Sequence, residues 1–245
     1  MLLRFASFFA LACFASTANT AVRAEPRAVI ELFTSQGCSS CPAADKLAGE
    51  LARNPNNIVL SLAVDYWDYL GWKDTLAISG HSNRQRAYAK MRGDREVYTP
   101  QVVINGAAHA LGSDKAAIDK AVDKTKQNPS TLAVPVSMTL GGDKLSVNVA
   151  GRDGAAAQAE VWLCPVSRAV AVAIGRGENK DRTITYTNVV KRWIKLGDWN
   201  GKTETFNVAL KDVEDGNADS VVVLVQSGAA SAPKVMLGAA QIALK

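Results

Sequence analysis

Cys38 and Cys41 stand three positions apart in the run Cys38-Ser39-Ser40-Cys41-Pro42. An apolar run, Ala28–Phe33, precedes them and reads as a buried strand. A helical pattern over Ser39–Arg53 follows, with Leu47 and Leu51 one turn apart on the same face. The cysteines therefore fall where a strand hands over to a helix. A helix N-terminus offers unpaired N–H groups and a partial positive charge, which favour a thiolate over a thiol. Two intervening residues bring the second sulfur within bonding reach. This arrangement suits thiol–disulfide exchange, with Cys38 attacking and Cys41 resolving the mixed disulfide. Pro42 suits a first helical turn, where its missing N–H costs nothing.

Other uses of the pair stay open at this level. A CxxC can be half of a zinc site, but such sites usually need two further Cys or His ligands. The only other candidates past residue 24 are Cys164, His81 and His109. The two sulfurs could instead hold copper(I), which soft thiolates suit. An inert structural disulfide, in a redox-inactive binding protein, is the third reading. No other metal site and no organic cofactor are expected.

The elements that must position the cysteines follow from periodicity. Ile58–Val64 is a second buried strand, Thr75–Arg92 a helix and Gln101–Ile104 a third strand. Asn105-Gly106 makes a hairpin turn into a short strand around Ala108–Leu111, and Ser113 caps a closing helix. Past Gln127-Asn128-Pro129-Ser130 the period changes to two. Val134, Val136, Met138 and Leu140 share one strand face, and Gly141-Gly142-Asp143-Lys144 turns the chain back. Further strands are expected at Glu160–Cys164, Ala169–Ile174, Thr183–Val190, Thr203–Leu210, Ser220–Val225 and Val235–Ala239. This predicts an α/β domain over residues 25–127 and an all-β sandwich over 131–245.

Residues 1–24 read as a secretory signal peptide. Arg4 precedes an apolar run of about eleven residues, short of the roughly 20 that span a bilayer, and Ala24 offers a small residue for cleavage. Cys13 leaves with that segment. Of 28 Lys and Arg, removal of Arg4 and Arg23 leaves 26, against 23 Asp and Glu, a net charge of +3. This weak bias, without a basic stripe, argues against nucleic-acid binding. The expected location is periplasmic or secreted, with no stable membrane span, where disulfides persist.

Several residues have both a functional and a packing reading. Asp65, Tyr66, Trp67, Asp68, Trp72 and Lys73 follow the second strand, where open α/β sheets form their ligand crevice. Tyr66, Trp67 and Trp72 are candidate substrate contacts, or they fill a gap in a packed loop. His81 reads as a half-buried structural residue, His109 as exposed on an edge hairpin and Cys164 as a buried, inert thiol. Glu178 and Asn179, in a Gly-rich hairpin, either form a turn or face the cysteines.

Tyr98-Thr99-Pro100-Gln101-Val102-Val103-Ile104-Asn105-Gly106 resembles the thioredoxin and glutaredoxin segment whose cis-proline faces the CxxC. That resemblance implies a cis Thr99-Pro100 bond opposite Cys38, with Thr99 and Pro100 contacting substrate. It also implies a buried carboxylate near the resolving cysteine. Glu31, on the first strand, is the candidate for that role, or it is simply salt-bridged.

Val29-Ile30-Glu31-Leu32-Phe33-Thr34-Ser35-Gln36-Gly37-Cys38-Ser39-Ser40-Cys41-Pro42 resembles the opening of a secreted bacterial family known as domain of unknown function 1223. Val64–Asp74 and Gly175–Asn179, followed by Tyr186 and Asn188-Val189-Val190, are similar to its second and third signatures. Ala43 and Thr75-Leu76 depart from its Pro and Pro-Phe. The resemblance implies a thioredoxin-like fold for the first domain and no settled substrate. The expected function is extracytoplasmic thiol–disulfide oxidoreduction, with protein or small-molecule thiols as partners.

Overall fold

The computed structural model describes residues 21–24, 26–152, 158–213 and 217–244. Most of the expected leader lies outside these residues; its last four, Ala21–Ala24, form strand β1. Ala28–Thr34 forms β2, buried along its whole length. Ile30 and Leu32 face one side of the sheet and Val29 and Phe33 the other. Helix α1, Cys41–Leu51, follows with Pro42 in its first turn. It buries Ala44, Leu47, Ala48 and Leu51 against the Ile30 side. It starts two residues later than the pattern predicted, because Ser39 and Ser40 are spent on the turn.

Strand β3, Asn57–Ala63, pairs parallel with β2 in register Phe33 to Leu62. Helix α2, Ser79–Arg92, covers the opposite side of the sheet, with Tyr88 buried against it. It starts four residues late: the Asp74 carboxylate accepts the Leu76 N–H and holds that stretch in a turn. β4, Gln101–Ile104, and β5, Ala108–Leu111, form the expected edge hairpin. Asn105 and Gly106 have φ of 51° and 67°. A Cβ on Gly106 would lie 2.2 Å from the Lys234 carbonyl oxygen, so only glycine fits there. Helix α3, Lys115–Lys126, is capped by Asp114 rather than Ser113, its carboxylate accepting the Ala117 N–H.

The second half adds β6 (Val136–Gly141), β7 (Lys144–Val149), β8 (Ala159–Ala173), β9 (Thr183–Val190), β10 (Ile194–Trp199), β11 (Glu204–Ala209), β12 (Ser220–Ala229) and β13 (Ala232–Ala243). Here the expected architecture is overturned. The chain does not form a thioredoxin-like α/β domain followed by a separate β-sandwich. Its strands make one nine-stranded mixed sheet, in the order β13-β12-β8-β9-β3-β2-β4-β5, with β10 also on β8. β9 lies parallel to β3, so the sheet runs unbroken from the second half into the first. Ser61 Oγ donates to the Thr187 carbonyl and Asn188 Nδ2 to the Val59 carbonyl, which fasten this seam.

Two expected strands, Glu160–Cys164 and Ala169–Ile174, are one 15-residue strand, β8. Pro165 sits at its middle, where β8 exchanges β10 for β9 on that side. A small sheet, β1-β6-β7-β11, covers the far half of the large one, and Met138, Val147, Val161, Trp199 and Val223 fill the space between. The small sheet packs on a large sheet that also carries the first half of the chain, so the second half does not make a sandwich of its own.

Candidate functional site

β2 and β3 are parallel, so the loops leaving their C-terminal ends emerge side by side. β4 is antiparallel to β2 with Gln101 opposite Phe33, which brings Thr99-Pro100 to the same edge. Cys38 and Cys41 lie in the loop after β2, joined as a disulfide with Cα atoms 5.4 Å apart. Cys41 is the first residue of α1, and Cys38 lies just outside the helix. The sulfurs are enclosed: Cys38 is 2% exposed and Cys41 fully buried. Cys38 Sγ lies 3.4 Å from the Ser40 hydroxyl. The Thr99-Pro100 peptide is cis.

The cysteine loop is clasped from several sides. Asp74 accepts the Gln36 N–H at 2.7 Å, and Trp72 Nε1 donates to Gln36 Oε1 at 2.8 Å. Asn179 Nδ2 donates to the Gln36 and Cys38 carbonyls, at 3.0 and 2.8 Å. Glu178 accepts the Ser39 N–H at 3.2 Å. Trp67 Nε1 donates to Thr99 Oγ1 at 2.8 Å, and a Cβ on Gly37 would lie 3.1 Å from Trp67 Cβ. Trp67 thus ties the cysteine loop to Thr99. Trp72 packs against Gly175, where an added Cβ would approach its ring to 3.2 Å. Tyr66 lies beside Trp67 and donates to Gln85, which itself holds the Tyr98 carbonyl.

The structure places Glu31 on the α2 side of β2. Arg84 Nε donates to Glu31 Oε1 and the Tyr88 hydroxyl to Oε2, both at 2.6 Å. Burial works against the Arg84 charge, but Glu31 more than offsets it, and the guanidinium pKa stays above its ordinary value. Both carboxylate oxygens of Glu31 are therefore occupied within a buried ion pair.

A different carboxyl stands with the cysteines. Asp45 follows Cys41 by one helical turn, on the same buried face of α1. It is 2% exposed. Thr34 Oγ1 donates to Oδ1 at 2.8 Å, while Oδ2 is buried with no partner among the described residues. Burial pushes its pKa up to about 7; the Thr34 hydrogen bond opposes this and the nearby Asp74 charge adds to it. Asp74 is raised by its own burial, against the N–H groups of Gln36 and Leu76. The Tyr186 hydroxyl, also buried and unpartnered, is pushed above its ordinary range by burial and then by Asp45 and Asp74. Asp45, Asp74 and Tyr186 thus form a buried, mutually coupled group of weak acids on the elements that carry the cysteine loop.

The spacing of four from Cys41 was the one sequence signal for Asp45. Asp74 and Tyr186 carried no chemical signal of their own. Asn179 does face the cysteines. His81 is fully buried, its Nδ1 bonded to the Ala63 carbonyl, and burial lowers its pKa to about 4. Cys164 is buried and its thiol pushed up by burial. Half-exposed His109 lies 3.4 Å from Asp94. For a metal, the pair Cys38 and Cys41 would offer two thiolates, and among the described residues no cluster of three or more His, Cys, Asp or Glu could hold an ion. Among those residues no helix is long and apolar enough to cross a membrane.

Fold and site together define a mixed-sheet protein with a disulfide at the mouth of a helix, locked under loops from both halves of the chain. The chain belongs to the family described as protein of unknown function (DUF1223), whose model matches residues 29–226. It is similar to the crystal structure of a protein from Agrobacterium tumefaciens, with 32% identity and a TM-score of 0.79, covering 89% of this chain and 94% of that one. No curated protein matches it.

Proposed function

We propose that this protein is an extracytoplasmic thiol–disulfide oxidoreductase. The observation that carries the reading is the Cys38–Cys41 disulfide with a buried carboxyl one helical turn from Cys41, one of whose oxygens has no partner among the described residues. In the oxidising direction a substrate thiolate attacks Cys38 Sγ and breaks the disulfide. The Cys41 sulfur leaves as thiolate and takes the Asp45 proton. A second substrate thiolate then attacks the substrate sulfur, forming the substrate disulfide and releasing Cys38 as thiolate. Two electrons have passed from substrate to the cysteine pair. The reducing direction is the reverse, with Asp45 accepting the Cys41 proton. A carboxyl titrating near 7 can serve both directions at neutral pH. Export through the segment 1–24 would place the pair where such substrates occur. Insulin reduction and refolding of scrambled ribonuclease test this: activity that survives Cys38→Ser would overturn it.

The burial of both sulfurs favours a second reading, a structural disulfide that fastens the loop to α1. It predicts that the disulfide resists dithiothreitol until the protein unfolds.

A further inference from the structure

On the opposite side of the sheet from α1, a cavity of about 480 Å³ opens between α2, the β12–β13 turn and two tryptophans. Gly80, Asn83, Arg84 and Ala87, on one face of α2, give it one wall. Trp162 and Trp193 give the other, their rings edge to face at 6.2 Å and 78°. Ser231 stands exposed at the turn. The volume lies within the range of small-ligand pockets, roughly 300–1,000 Å³.

Arg84 says what would fill it. The side chain is 8% exposed and its guanidinium lies over the Trp193 ring at 4.4 Å. Nε is taken by Glu31, and Nη2 by the Tyr88 hydroxyl and Gln226. Nη1 has no hydrogen-bond partner among the described residues, although Arg84 lines the cavity. Nη1 is not a fully enclosed atom, so it stands open to the cavity as a free donor. The free edge of the Arg84 guanidinium and flat apolar walls meet here, and Arg84 is the only charged residue in the lining.

We propose that this cavity binds a planar aromatic carboxylate, its ring against Trp162 and Trp193 and its carboxylate on Arg84 Nη1. Arg presents a planar fork that matches a carboxylate. The aromatic ring supplies the apolar area that two indoles can cover. The site is independent of the disulfide.

The test is calorimetric titration of the full chain with 2-naphthoate, and with 2-naphthylmethylammonium as the same ring bearing the opposite charge. Saturable binding of the carboxylate and at least about tenfold weaker binding of the ammonium are expected. Ala87→Leu adds bulk inside the cavity without removing any donor, and Ser231→Leu adds it at an exposed turn. Each should weaken naphthoate binding by about tenfold or more while leaving the circular dichroism spectrum and disulfide exchange at Cys38 as in the parent. Absence of saturable binding would overturn the proposal. So would equal affinity for the ammonium, or full affinity in a folded Ser231→Leu protein.

Discussion

Asp45 and Glu31 separate two uses of a buried carboxyl. Asp45 is held near neutrality by burial, so folding favours its protonated form. Its folded pKa lies above the unfolded one. The protein is then most stable with respect to this group below pH 4, and that stability is lost as pH rises towards about 7. The full effect is about 4 kcal/mol. Asp45→Asn removes the titration, so the variant should melt higher than the parent at pH 8 and show a flatter stability profile. The same variant should exchange its disulfide more slowly and lose the step near pH 7 in its rate profile. Equal melting temperatures at pH 8, or an unchanged rate profile, would contradict the assignment. Glu31 is the reverse case, a carboxylate satisfied on both oxygens by Arg84 and Tyr88. Removing one partner of a buried ion pair costs about 3–5 kcal/mol. Glu31→Gln should therefore lower denaturant stability by about that amount, with little change in the exchange rate of the protein that remains folded.

The elements around the site show what could be read in advance. The strand, CxxC and helix were legible because each follows from local chemistry: an apolar run, paired thiols, and leucines one turn apart. The edge hairpin was legible for the same reason, since Asn105-Gly106 announces its own turn. The ion pair of Glu31 and the burial of Asp45 were not legible, because their partners lie 53 residues away on α2 and 11 residues away on β2. Nor did the β8–β9 hairpin disclose that Asn179 reaches the cysteine loop across 141 positions. That hairpin acts as a clamp. Asn179→Ala would leave the buried Gln36 and Cys38 carbonyls without this donor, costing about 2 kcal/mol. The loosened loop should admit reductant, so dithiothreitol should reduce the disulfide several-fold faster than in the parent. A rate equal to the parent's would show that Asn179 does not control access.

Across the whole molecule, strand pairing made one sheet from what periodicity divided into two domains. A period of two identifies strands and their inward faces, but it does not name their neighbours. β3 is buried on both faces and needs a partner on each edge; β2 takes one and β9 the other. Such a shared sheet should unfold as one unit. Calorimetry should give a single transition whose calorimetric and van't Hoff enthalpies agree; two resolved transitions would show that the halves fold separately. The same sheet delivers the loops of both halves to the disulfide, on which the redox reading rests. Its most direct test is to incubate folded Cys41→Ser protein with oxidised glutathione and map the adduct by mass spectrometry. A stable mixed disulfide on Cys38 at neutral pH, which the pre-reduced parent resolves through Cys41 with release of glutathione, is the predicted result. No adduct on Cys38 until denaturant is added would contradict the account and leave the disulfide as a structural staple.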